Sequence, residues 1–512
     1  MMKKIFMIFT LVLFCLSGYA QFPCGIDQED IALITSRLKL NKKTIAEGFV
    51  NERSGAILYL PVKFHLVGKT DGSLRITEDH VLRQLNLLNE NYLDQEIQFF
   101  IEDSFNYVNN TAAFNDPSAQ ASQLVLNQNK VNGRINIYIC RTAMTGGGSL
   151  GTTLGFYSPF SDWIVIRQVE VTSLTSTLTH EMGHFLSLLH PHNGWDAVNY
   201  NVMDHTPTPE FSPSGIETEN EARSGSCKNC ESAGDFLCDT PPDYNFGFGW
   251  NDCDYDRGTL DPCGDVVDVQ ENNYMGYFGD CDSYVFTPQQ KQLMEVDVAA
   301  RLSQETILEN LTPNSTDLVE GDVKVNLPED GGISYQAQSV YFNWEPVEGA
   351  TDYLFEVTDS IAGFSAATRV MVSGTNDILI DEPFLPNRTY VWRIYPYNES
   401  STGYGFSKIF RFKSGPITSV ATIKEVSSFD IYPNLVSNQN SVLLDINSTE
   451  VIDLDVQLLS LAGKAITTME SKLTSGQNKI DLNVNGLTNG VYIVKIASKN
   501  GIISKKLVVK NM

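Results

Sequence analysis

Residues 180–190 read His-Glu-Met-Gly-His-Phe-Leu-Ser-Leu-Leu-His, which sets three imidazoles and one carboxylate at fixed offsets. Residues four apart on a helix share a face, so His180 and His184 can meet one ion, with Glu181 beside them and within reach of its water. Three neutral nitrogens on zinc leave a fourth position for that water, whose pKa falls to about 7 in such sites. Glu181 can take the proton and return it to a leaving amine, which is the chemistry of metal-assisted peptide hydrolysis. The chain has only 7 His. Five of them, His180, His184, His190, His192 and His205, crowd into one stretch, which favours a ligand cluster over isolated core imidazoles. Leu174, Leu178, Phe185 and Leu189 precede and interleave them, as expected of a buried helix.

A straight helix would carry His190 away from an ion held by His180 and His184, so the chain must turn between them. The extended pattern HExxHxxGxxH resembles the metzincin clan, whose glycine at the turn tolerates positive φ. Ser187 stands at that place, and left-handed geometry costs a non-glycine residue on the order of 1 kcal/mol. His190 is the expected third ligand and His192 the substitute. A turn residue that spoiled the site would leave the alternative function of a zinc-bearing surface adhesin or binding protein without turnover.

Further motifs follow in order. Residues 234–242 read Gly-Asp-Phe-Leu-Cys-Asp-Thr-Pro-Pro, residues 273–277 Asn-Tyr-Met-Gly-Tyr, then come Asp280-Cys281 and Phe286-Thr287-Pro288-Gln289-Gln290. The series resembles the pappalysin family of metzincins from about Leu58 to Leu302. Asn201-Val202-Met203-Asp204 looks similar to a methionine turn but lacks this setting. The resemblance implies that Met275 floors the zinc site, that Tyr277 stabilises the oxyanion of the tetrahedral intermediate, and that Asp280 receives a basic residue after the scissile bond. Cleavage on the amino side of Arg or Lys in protein and peptide substrates is therefore expected. It also implies Zn2+ as the catalytic ion, disulfides Cys230–Cys263 and Cys253–Cys281, and a Ca2+ site for which Asp235 and Asp239 offer hard oxygens. Sequence alone allows three pairings of those four cysteines, with Cys227–Cys238 a candidate third bridge and Cys140 a buried thiol.

The N-terminus reads as an export signal over residues 1–20, with Lys3-Lys4, an apolar run and Gly18-Tyr19-Ala20 before the cut. No later stretch has the length of a membrane span, so no integral membrane segment is expected once the signal is removed. Net charge is −26, from 36 basic and 62 acidic residues, which argues against nucleic acid as a partner. Cys24, in Pro23-Cys24-Gly25, resembles a cysteine switch that keeps a zymogen latent by placing sulfur on the open zinc position. Residues 21–54 would be the prosegment, with Arg37 and Arg53 as self-cleavage points.

The expected fold is an α/β (α+β) metzincin-like catalytic domain, residues 55–306, followed by two all-β sandwich domains. Strands are expected at 59–66, 97–101, 135–139 and 163–167, with helices at 77–92 and 288–302 and irregular loops over 191–272. Beyond a polar linker at 307–332, period-2 alternation predicts strands in a domain at 333–416 that resembles fibronectin type III, with Tyr390 as a tyrosine corner. A linker at 417–428 leads to residues 429–512. Ile431-Tyr432-Pro433-Asn434, Leu461-Ala462-Gly463-Lys464, Gly490-Val491-Tyr492 and Lys506-Leu507-Val508-Val509-Lys510 resemble the sorting domain of type IX secretion in Bacteroidetes. That resemblance implies the type IX machinery as a partner, and a secreted or surface location reached through the periplasm and outer membrane.

Overall fold

The computed structural model describes residues 25, 28–49, 57–143, 153–196, 208–250, 252–304, 307–314, 316–319, 321–334, 340–380, 384–415, 423–437, 439–460, 465–498 and 501–510. The signal, Cys24, Arg53, His205 and the motifs at 201–204 and 461–464 lie outside these residues. Two compact units are present. One comprises residues 1–320 with Glu348–Thr351 and Pro396–Gly405, and the other Gly321–Val347, Asp352–Tyr395 and Phe406–Met512.

The first unit opens with helix α1 (Gln28–Ala46), strand β1 (Leu58–Gly68), α2 (Glu78–Asn91), β2 (Ile97–Ile101), β3 (Asn106–Asn109), α3 (Thr111–Asn115), α4 (Gln120–Asn129) and β4 (Ile135–Cys140). Strands β5 (Gly155–Ser158) and β6 (Trp163–Arg167) follow, then α5 (Gln168–Ser173), α6 (Thr177–Phe185) and α7 (Pro288–Leu302). The strands form one sheet in the order β2-β1-β4-β6-β5, with β3 also on β1. Strand β4 is buried at all six positions. Its unbroken apolar run is what a parallel strand covered on both faces requires. Strand β5, too short to stand out in the sequence, pairs antiparallel with β6 and forms the sheet edge. Helix α2 buries Val81, Leu82, Leu85 and Leu88 at helical spacing.

Residues 208–287 contain no helix or named strand among those described. Three disulfides tie them: Cys227–Cys263, Cys230–Cys238 and Cys253–Cys281. The expected Cys230–Cys263 and Cys227–Cys238 pairs are thus exchanged, while Cys253–Cys281 is as expected. Asn229 fixes the local turn by accepting from Asn220 N and donating to Thr218 O. Cys230 then lies 5.0 Å, Cα to Cα, from Cys238, a short loop that closes at low entropic cost, while Cys227 faces Cys263. Cys140 is a buried free thiol.

Helix α7 starts where Thr287, Pro288 and Gln290 predict, with Thr287 and Gln290 forming a reciprocal capping box. At its other end, buried Arg301 donates to Phe185 O at the end of α6 (2.8 Å) and pairs with Asp297 and Asp162. The helix that closes the domain is thereby tied to the helix that carries the histidines.

In the second unit, strands Val340–Trp344, Asp377–Ile380 and Val325–Leu327 make one sheet, and Asp352–Asp359, Thr368–Ser373, Thr389–Tyr397, Phe410–Ser414 and Gly332–Ser334 another. Phe342 of the first packs on Phe355, Trp392 and Phe412 of the second. Tyr390 accepts a hydrogen bond from Leu385 N, upstream of it. The C-terminal strands form two more sheets around an aliphatic core that includes Leu444, Val456, Leu458 and Val494. No helix among the described residues is long and apolar enough to cross a membrane.

Candidate active site

Helix α6 presents His180, Glu181 and His184, each buried. It ends at Phe185, and Ser187 follows with φ of 69°. That left-handed residue reverses the chain, so His190 returns to the other two histidines, as glycine would allow. The three Nε2 atoms stand 3.0 to 3.1 Å apart. Each Nδ1 faces an oxygen: Tyr274 O for His180, Leu188 O for His184 and Asp196 Oδ1 for His190. A carbonyl or carboxylate can only accept, so each Nδ1 carries the ring proton and each Nε2 is a bare lone pair. Three lone pairs pointed at one another repel unless a cation lies among them. The spacing is close to the roughly 3.3 Å edge of a tetrahedron built on zinc–nitrogen bonds of about 2.0–2.1 Å. Burial first, and then the neighbouring imidazoles, hold His180 and His184 far below the ordinary imidazole pKa, so both stay neutral. The residues present fit a bound metal ion.

Tyr277 places its hydroxyl 3.3 Å from His190 Nε2, beside that focus. Met275 is fully buried beneath α6. A side chain at Gly183 would overlap Met275 Sδ, which explains the glycine inside the histidine motif. A Cβ at Gly155 of β5 would likewise lie 3.2 Å from Glu181 Oε1, so the carboxylate sits directly behind the sheet edge. His192 is not part of the triad. Its ring stacks on His190 (4.5 Å, 10°) and tilts against Tyr277 (4.3 Å), with Asp243 3.4 Å from its Nδ1.

Residues 430–510 match the model of the secretion system C-terminal sorting domain. An extracellular metalloprotease of Neurospora crassa is 27% identical over 226 residues, 39% of this chain and 75% of that protein. The chain resembles the pappalysin metzincins and ends in a type IX sorting domain. The protein is thus secreted or held at the cell surface after type IX export. Among solved structures, a promirolysin mutant of Tannerella forsythia aligns with 18% identity over 56% of this chain and 97% of that one, with a TM-score of 0.35. A fibronectin domain of human contactin 1 aligns over 21% of this chain and 89% of its own at 16% identity, with a TM-score of 0.17.

The other expected residues of this pappalysin-like chain lie away from the triad's own hydrogen bonds. Asp280 is exposed on a left-handed turn (φ 55°) next to the Cys253–Cys281 bridge. Asp239 accepts from Thr287 Oγ1 and Gln289 N, so its carboxylate anchors the start of α7. Asp235 is fully buried and accepts from Leu237 N through Oδ1. Burial pushes its pKa up to about 7. Glu219, which sequence analysis missed, lies against Gly234 beside it, and burial followed by the Asp235 charge raises its pKa strongly. Asp196, also missed, is held at about 2: burial opposes ionisation most strongly, but the hydrogen bond from His190, the nearby His190 and His192 rings and the Gly194 amide together outweigh it. Neither carboxylate lies in a periodic or motif-like stretch, and only the folded loops bring them to their partners.

Proposed function

We propose that this protein is a secreted zinc endopeptidase made in a latent form. The observation that carries the proposal is the convergence of three unprotonated Nε2 atoms beside a buried glutamate. Zn2+ bound there would be held by His180, His184 and His190, and would supply an acidified water and polarise the substrate carbonyl. Glu181 takes the proton of the attacking water and delivers it to the departing amine. The Tyr277 hydroxyl donates to the oxygen on which negative charge develops. The open edge of β5 offers backbone groups to an extended substrate strand.

The main chain of the N-terminal segment already uses that edge: Gly25 N donates to Gly155 O at 3.0 Å. This contact supports latency, with Cys24, the preceding residue, serving as the blocking thiolate. Asp280 would pair with Arg or Lys after the scissile bond. Asp235 and Glu219, two buried carboxylates with raised pKa values, fit a Ca2+ ion that would neutralise them; Asp239 contributes through α7 instead. The fibronectin-like and sorting domains would act in presentation and export.

The test is digestion of a quenched Arg-containing peptide by processed protein, with and without a zinc chelator, beside Glu181→Ala. Chelator-sensitive cleavage before Arg, reduced at least 100-fold in Glu181→Ala, is the expected result. Equal cleavage by that variant, or none by the parent with one zinc per chain, would overturn the proposal.

A further inference from the structure

Helix α1 lies in the stretch expected to be a disposable prosegment, yet it is seated as firmly as a core helix. Ile34 and Leu38 are at 0% exposure and Ile31 at 6%. These residues sit on one face, packed along α7. The polar side chains of that face are matched to fixed acceptors. Arg37 donates to Phe185 O (2.6 Å) and Tyr157 Oη (3.0 Å), and its Nε lies 3.4 Å from Asp297. Asn41, one turn later and itself buried, donates to both Ser187 Oγ and Asp297 Oδ1, each at 2.9 Å. Lys42 donates to Phe236 O, and Lys39 lies over the Phe236 ring. Arg37 is therefore engaged rather than offered for self-cleavage.

Two features follow from this seating. Every contact named is made upstream of Gly48, so none depends on the chain between Gly48 and Ile57. And α1 begins three residues after Gly25, whose amide occupies the β5 edge beside Glu181. We propose that α1 is a docking helix whose hold outlasts cleavage of the 49–56 connection. The severed N-terminal fragment stays bound through Arg37, Asn41 and its apolar face, and it keeps the β5 edge covered. The cut alone does not open the site; departure of α1 does. The surface it leaves is a receptor for an amphipathic helix with Arg and Asn one turn apart.

This extends the latent-peptidase reading, but the test needs no turnover. In the full chain carrying Glu181→Gln, residues 50–56 are replaced by the recognition sequence of a site-specific protease. The chain is cut and passed over a sizing column at about 1 μM, with circular dichroism on the recovered body. The fragment is expected to co-elute with the body. It should then be displaced by excess synthetic peptide of residues 28–46, and at least 10-fold less well by the same peptide carrying Arg37→Ala and Asn41→Ala. Placing the substitutions in the competitor leaves the fold of the body untouched. Separation of the fragment on the column, whether or not the body stays folded, overturns the proposal, as does equal displacement by the two peptides. Inactivity of the parent enzyme in the peptide assay would count against the peptidase reading and leave this result standing.

Discussion

His190 Nδ1 points at Asp196 Oδ1, so the one triad ligand that lies outside the helix is oriented by a carboxylate rather than by a backbone carbonyl. The same Asp196 accepts from Gly194 N through its other oxygen, which fixes the carboxylate in turn. Asp196→Asn keeps the shape but offers a weaker acceptor and an ambiguous tautomer. We expect zinc affinity to fall by about 10–100-fold with little change in melting temperature. Competition with a chromogenic chelator reads this directly; unchanged affinity would remove Asp196 from the site.

Gly183 and Met275 interlock, because any Cβ on the helix would enter the space of the sulfur. Gly183→Ala should destabilise by about 1–3 kcal/mol, as overpacking does. The double variant with Met275→Ala should recover part of that loss. Denaturant midpoints measure both, and a Gly183→Ala chain as stable as the parent would refute the packing argument.

Ser187 carries a left-handed backbone and a hydroxyl that accepts from Asn41. In Ser187→Gly the relief of about 1 kcal/mol of strain is offset by loss of a hydrogen bond worth about 1 kcal/mol. Stability should therefore stay within about 1 kcal/mol and kcat within about twofold. A large gain in kcat would mean that serine impairs the site.

Asp235 and Glu219 give a pH dependence of defined sign. Their folded pKa values lie above the unfolded ones, to about 7 for Asp235. The folded chain therefore holds more protons, and without Ca2+ its stability falls as pH rises from about 4 towards 7. A Ca2+ ion held by the ionised pair would oppose that loss. Thermal melts in EGTA should show the decline, Ca2+ should reverse it, and Asp235→Asn with Glu219→Gln should flatten it. A Ca2+-independent melting curve across that range would remove the site.

The sequence made the triad legible because two ligands and Glu181 sit on one helical turn, and local spacing alone decides which face they share. Strands β1, β2, β4 and β6 were legible for a related reason, since each carries a β-branched or aromatic run. The partners of those residues were not. Asp196, Glu219 and Gly155 act through contacts fixed by loops that have no period to read. The exchanged bridges show the same limit: cysteine order cannot say that the turn at Asn229 directs Cys230 to Cys238 and Cys227 to Cys263. Helix α1 escaped notice because its weakly apolar sequence becomes a buried face only against α7.

All three bridges lie between Cys227 and Cys281, in the part of the unit with no helix or named strand among the described residues, and that part delivers Met275 and Tyr277 to the histidines. Reducing surroundings keep such thiols apart. A chain still in the cytoplasm would accordingly own the histidine helix but lack a fixed floor and hydroxyl beneath it. The oxidation state of the compartment thus acts as a safeguard separate from any N-terminal block: the proteins of the producing cell are spared until the chain has left them behind.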